Sequence, residues 1–272
     1  MKKSFIFILV LLLLPYSLIS QILPLFDKNM KEKLKGYEEI KGYVYFYRFG
    51  EINKEKKLLY HSYTCDIKGN ILNYLEYDLN SANINRKIVY KYNQANMPIE
   101  EIRYNVKGIK NSYESIKYHT GDTVKAERVI EDYGGKNTKT IIKYDDKGNE
   151  IHKESSSSEN IKLETITENI YNEQNQLVQK IKNQKAYDKR GDVLRTYSPD
   201  TINYIYDNNG SLVSIIGDGD NVDEYYENGF LIEQRLDSYI FKYEYHITGL
   251  IKEMITCDKD GEPLMTIVCE YK

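Results

Sequence analysis

The chain has no tryptophan, only five prolines and three cysteines in 272 residues. Sugar-binding platforms commonly rest on Trp, so its absence weakens a carbohydrate-stacking surface, although exposed Tyr on a curved sheet could stack on sugar rings. Three cysteines cannot all pair with one another, which excludes a disulfide framework. No basic stripe is present, and both charge signs are interspersed at a net charge of −3, so a nucleic-acid partner is not expected. His-Glu-x-x-His and other zinc spacings, Gly-x-Ser-x-Gly, phosphate-binding glycine loops and dinucleotide fingerprints are all missing. Paired carboxylates can always be drawn from 41 acids, so their presence argues nothing about glycoside hydrolysis. No cofactor and no enzymatic activity are expected.

Long apolar runs are also lacking, with one short exception. Lys2 and Lys3 precede an apolar stretch from Phe5 to Leu14, followed by Pro15 and Ser17-Leu18-Ile19-Ser20. That is a signal peptide over residues 1–20, too short to anchor in a bilayer, which takes about 20 apolar residues. No Cys follows it directly, so no lipid anchor is expected. The mature protein is expected in the periplasm or outside the cell, with no membrane span after cleavage. Residues 21–41 form a lead-in with a modest helical pattern at Met30, Leu34 and Tyr37, and residues 42–272 form one domain.

Tyrosine is abundant, with 27 copies. Its large apolar body and polar tip suit a half-wet strand face. Tyr43, Tyr45, Tyr47 and Phe49 share one face of a strand, with Val44 and Phe46 on the other. Later segments such as Phe241-Lys242-Tyr243-Glu244-Tyr245 alternate cleanly, as in an antiparallel meander.

One phrase recurs seven times: an aromatic or Cys, then Asp or Asn, two free residues, and Gly or Asn, with an apolar residue two or three places later. The copies place Asp66 with Gly69, Asn93 with Asn96, Asp145 with Gly148, Asn172 with Asn175, Asp188 with Gly191, Asp207 with Gly210, and Asp258 with Gly261. Asp or Asn at the first position of a type I turn accepts backbone N–H bonds. Gly or Asn three residues on takes the left-handed conformation of a bulged hairpin. Anchors at 65, 92, 118, 144 and 171 are spaced 27, 26, 26 and 27 residues apart, the signature of a repeat array. The segments 118–121 and 226–229 read as shorter copies. The tips 54–57 and 155–158 read as solvated turns. The fold expected is all-β, repeated antiparallel hairpins in an extended, curved or curled meander sheet.

The hairpin register follows from the bulge: Tyr171 faces Leu177, Tyr206 faces Leu212 and Tyr245 faces Ile251, with Tyr144, Tyr171, Tyr206 and Tyr245 on one buried face. The cysteines read as small core residues in Tyr-like slots. The same arithmetic sets Cys257 opposite Pro263 and Cys269 opposite Ile251. A bridge from Cys65 to either would need the ends of the domain to meet.

Two chemistries remain. Asp218, Asp220 and Asp223, in a Gly-containing stretch with Glu224, offer hard oxygen ligands for calcium; an exposed turn explains them equally well. Asp258, Asp260 and Glu262 form a weaker version. His119 and His246 occupy the turn position after Tyr.

Tyr144-Asp145-Asp146-Lys147-Gly148-Asn149-Glu150-Ile151, echoed at Tyr206-Asp207-Asn208-Asn209-Gly210-Ser211-Leu212, resembles the YD repeats of RHS-type proteins. The resemblance extends over most of residues 42–272. It implies a β-rich, exported repeat protein. Long members wrap a shell around a C-terminal toxin, a role this short chain is not expected to share. The function expected is binding or structural at the cell envelope, with carbohydrate or another envelope protein as partner. The alternatives are an envelope hydrolase and an immunity or adaptor protein binding through its sheet surface or edge.

Overall fold

The computed structural model describes residues 32–48, 50–53, 55–119, 125–132, 137–145, 149–157, 161–218 and 222–272. The signal segment, Lys54, Phe49, Gly121, Gly148 and Asp220 lie outside them. After a short helical turn at 32–34, the chain is strand and turn throughout the described residues. The strands run β1 (Glu39–Arg48), β2 (Glu51–Ile52), β3 (Leu58–Cys65), β4 (Ile71–Tyr77), β5 (Ile84–Tyr92), β6 (Pro98–Tyr104) and β7 (Lys110–His119). They continue as β8 (Lys125–Asp132), β9 (Asn137–Tyr144), β10 (Glu150–Ser157), β11 (Lys162–Tyr171), β12 (Leu177–Tyr187), β13 (Val193–Thr196) and β14 (Asp200–Tyr206). The last are β15 (Leu212–Gly217), β16 (Asp223–Glu227), β17 (Phe230–Arg235), β18 (Tyr239–Tyr245), β19 (Ile251–Asp258) and β20 (Pro263–Tyr271). Serines 155–157 continue β10, with Ser155 opposite Leu163 and its Oγ 2.9 Å from Thr140 Oγ1, so the tip expected there begins later.

Every ladder is antiparallel, and neighbours in sequence pair in the manner of a meander. Two ladders change the character of the sheet. β1 pairs on one edge with β3 and on the other with β20, from Ile40 opposite Tyr271 to Phe46 opposite Met265. At the far side β9 pairs with both β8 and β10, and β12 passes the ladder to β14 with β13 alongside. The strands other than β2 and β13 therefore form a ring in which each is hydrogen-bonded on both edges. The ends of the domain meet, yet Cys65, Cys257 and Cys269 are free thiols.

One continuous face of the ring is enclosed. Around the closure it is apolar: Ile40, Val44, Tyr63, Ile71, Tyr74, Ile88, Tyr243, Met254 and Ile267 pack in one buried cluster with Leu34 of the lead-in. Lys33 lies against the 246–250 turn, its Nζ donating to the Gly249 carbonyl at 3.1 Å. Opposite this arc the enclosed face turns polar, with Thr140, Thr165 and Thr167 buried. Gln184 Nε2 donates to Thr165 Oγ1 at 3.3 Å. The outward face alternates to charge, as at Glu154, Glu164, Glu233 and Lys242.

Tyr171 faces Leu177, Tyr206 faces Leu212 and Tyr245 faces Ile251, each pair set by a register shift at the preceding residue. The rings are half-buried rather than buried, because they sit at the rim of the wall. Cys257 faces Pro263, but the shift between Thr256 and Cys257 then puts Glu253 opposite Val268. Cys269 is thereby moved one residue off Ile251; a bulge adds a residue to one strand only.

Gly42 sits opposite His61, and a Cβ on it would fall 2.2 Å from the imidazole. This close approach lets the ring lie buried among Tyr60, Tyr63 and Tyr74, with both nitrogens lacking hydrogen-bond partners. Burial lowers its pKa to about 4.

Two outcomes are expected. Gly191 has φ 90° with nothing within 4 Å of an added Cβ, so Gly191→Val should cost about 1–3 kcal/mol in denaturant unfolding, through backbone strain alone. His61 is neutral in both folded and unfolded states above the ordinary imidazole value of about 6.5. Between there and about pH 4 only the unfolded chain takes up the proton, so stability falls across that window. The loss is on the order of 3 kcal/mol. Denaturant midpoints from pH 7.5 to 4 should show a shallower decline in His61→Phe; an identical slope would assign the acid sensitivity to other groups.

Candidate functional site

The recurring turns share one hydrogen-bond pattern. In the first, Asp66 N donates to the Asn70 carbonyl at 2.9 Å and Gly69 N to the Asp66 carbonyl at 2.9 Å. The Asp66 carboxylate accepts from the amides of Lys68 and Asn70 at 2.9 Å each. Asp188, Asp207 and Asp258 repeat these contacts. Asp145 accepts from Asn149 N at 2.7 Å. Positive φ occurs at Gly69 (79°), Gly191 (90°), Gly210 (81°) and Gly261 (88°), and Asn96 and Asn175 adopt it where Asn replaces Gly. An eighth copy, Tyr104-Asn105-Val106-Lys107-Gly108, has the same bonds and Gly108 at 71°. Its Tyr-Asn-x-x-Gly spacing is plain in the sequence, but Ile109 follows Gly108 directly and no apolar residue stands two or three places on.

Tyrosines before these turns, together with Tyr271 at the end of β20, bind the wall together. Tyr92 OH donates to the Ile71 carbonyl at 2.8 Å, Tyr206 to Leu177 at 3.0 Å, Tyr245 to Leu231 at 2.8 Å and Tyr271 to Ile251 at 2.7 Å. The acceptor in each case is the residue paired with the previous anchor on the same rim: Cys65, Tyr171, Tyr226 and Tyr245 in turn. Tyr171 instead reaches the preceding turn itself, donating to Asp145 Oδ2 at 2.6 Å. Burial pushes the Tyr245 phenol up to about 12. These hydroxyls are engaged inside the wall. Outward rings are covered by cations, with Lys57 Nζ 3.8 Å from the Tyr43 centroid and Lys110 Nζ 4.2 Å from that of Tyr113. Both features reduce the tyrosine surface open to a sugar.

Asp218 is exposed on the 217–223 connection, its N–H bonded to the Thr201 carbonyl at 2.9 Å, while Asp223 Oδ1 accepts from Gly217 N at 3.3 Å. Asp223 is thus turned toward its own loop backbone. His246 occupies a turn position as Asp does elsewhere, accepting Gly249 N at its carbonyl at 2.8 Å.

Titratable groups converge at a place the sequence did not single out. His152 and Glu154 on β10 and Glu164 on β11 face outward, with ligand atoms all within 4.8 Å of one another. Glu154 is directly opposite Glu164. His152 Nε2 lies 3.1 Å from Glu164 Oε1, and Tyr187 OH donates to Glu164 Oε2 at 2.9 Å. These two hydrogen bonds, His152 first, hold the Glu164 carboxyl below its usual range. Lys162 Nζ pairs with Glu154 at 2.9 Å. His-x-Glu alternation shows that the first two share a face; the third needs the strand register. On the enclosed side, burial lowers the Lys180 amine, opposed by Glu150 and Asp145.

No protein-family model matches the chain, and no curated protein matches it. Among solved structures, a porin-like protein from Bacteroides uniformis is similar at 12% identity and a TM-score of 0.40, over 88% of this chain and 99% of that one. A porin-like protein from Bacteroides vulgatus matches at 12% identity and 0.26, over 87% and 98%. A TcdB2-TccC3 structure matches at 12% identity and 0.26, over 78% of this chain and 14% of that one. At these TM-scores the likenesses assign no family.

Removing one rim hydroxyl should weaken the wall without reshaping it. Tyr245→Phe keeps the ring and loses the bond to Leu231, an expected cost of about 0.5–1.5 kcal/mol. Tyr239→Phe, away from that rim, is the control in urea unfolding. Equal effects at the two positions would remove any special role for the anchor hydroxyl.

Proposed function

We propose that the chain is an exported, non-enzymatic β-repeat protein of YD type with a binding or structural role at the cell envelope. The observation that supports this best is the ring itself: a regular hairpin repeat closed so that its edges pair with one another. Such a wall presents surfaces, and its closure leaves little for a partner that adds a strand to an open edge. Surface binding is the form of the adaptor reading that remains.

Two further features support the reading. Outward lysines such as Lys242 would each cost about 2–4 kcal/mol at a bilayer midplane and outward glutamates less, so the wall is suited to water. Among the described residues, no helix is long and apolar enough to cross a membrane. The thiols suit life outside the reducing cytosol: burial pushes Cys65 up to about 11 and Cys269 up to about 12, and Cys257 is buried and raised likewise. A thiol held protonated is slow to oxidise or exchange.

The test is processing and fate in a bacterial host. The full chain should yield a mature N-terminus at Gln21, leave the cytoplasm and sediment in part with envelope fractions. Deleting residues 2–20 should retain it inside. A full-length intracellular product with Met1 intact would overturn the export reading.

A further inference from the structure

We propose that His152, Glu154 and Glu164 form a binding site for a borderline divalent metal ion, of the Zn2+ class, on the outward face of β10 and β11. The argument begins with the ladder. Two carboxylates directly opposite each other on one sheet face repel, and a strand pair normally avoids this arrangement. Here the pair is retained, and an imidazole from the same face is added two residues from Glu154. The ligand atoms of all three fall within 4.8 Å of one another. Ligands about 2.0–2.2 Å from a zinc ion lie no more than about 4.4 Å apart, so small side-chain rotations bring the set onto one centre. The 3.1 Å between His152 Nε2 and Glu164 Oε1 already suits two neighbouring ligands of one ion.

The donor set selects the metal class. Imidazole with carboxylates suits zinc and its neighbours in the transition series rather than calcium, which prefers oxygen alone. Three protein ligands leave a position for water or for a group from a partner. The surroundings are those of a held site. Tyr187 OH fixes the second oxygen of Glu164, and hydrogen-bonded outer partners of this kind commonly orient metal-binding carboxylates. His152 Nδ1 is shut off from solvent, which leaves Nε2, the nitrogen beside Glu164, as the one that would face an ion. Lys162, paired with Glu154, competes with a metal for that carboxylate and would swing out on binding. Nothing in this assignment depends on export of the chain.

Isothermal titration of the metal-stripped protein with Zn2+ at pH 7.5 should give one site per chain. His152→Ala should weaken binding by about 100-fold or more, and Tyr187→Phe by about 10-fold, as for an outer-shell partner. Lys162→Gln leaves every ligand in place and should bind more tightly than the parent. That direction is opposite to the effect of general damage. Zn2+ should also raise the melting temperature of the parent and not of His152→Ala. Circular dichroism checks that the variants are folded, and the Co2+ spectrum should lack thiolate charge-transfer bands, excluding the cysteines as ligands. Equal zinc uptake by parent and His152→Ala, or weaker binding by Lys162→Gln, would overturn the proposal.

Discussion

The ladder between β1 and β20 is the constraint on which the rest of the molecule depends. Each hairpin is too thin to bury its own apolar face, and a row of hairpins left open would expose two strand edges and the inner sides of its end members. Pairing Ile40–Phe46 with Met265–Tyr271, while β3 holds the other edge of β1, brings the first and last strands into one sheet. The buried cluster gathers about that seam, from β18 through β20 and β1 to β5. Gly42 belongs to the same requirement: only a residue without Cβ lets His61 lie across β1 at the seam.

A repeated polar bond adds to the buried cluster at the seam, through Tyr92, Tyr245 and Tyr271, and recurs away from it at Tyr206. At these four positions a tyrosine ring fills the rim and its hydroxyl reaches the carbonyl opposite the previous anchor on the same rim, tying neighbouring hairpins together. Leucine could supply the apolar body but not the donor. The bulge after each anchor makes the geometry possible, since it sets the paired residue and twists the strand locally. The same residue type therefore does two things, packing and lacing, which is one physical reason for so many tyrosines and so few phenylalanines. The enclosed face beyond the seam can then be polar, with Thr, Gln and Lys, without loss of the wall.

Legibility followed sequence distance. Turn chemistry is local, and Asp66 with Gly69 or Asp207 with Gly210 could be read directly because the carboxylate, the amides it accepts and the positive φ lie within five residues. The pairing of Tyr171 with Leu177 or Cys257 with Pro263 followed, since a short bulged turn allows few registers. The position of Cys269 did not, because one added residue at Thr256/Cys257 shifts everything beyond it. Serines 155–157 looked like a tip by composition, yet pairing on both sides carried the strand through them. Glu164 could not be joined to His152 by inspection, since the register of β10 on β11 is a property of the pair.

By itself, the sequence determined that the chain is a series of antiparallel hairpins, where most of them turn, and which residues alternate between faces. These are consequences of backbone conformational preference and period-two patterning, which act over a few residues. Tertiary structure alone decided that the series closes, which face is enclosed, and that a histidine and two glutamates converge outside. Closure joins residues more than two hundred positions apart, and its free energy comes from edge pairing and burial that no single hairpin contains.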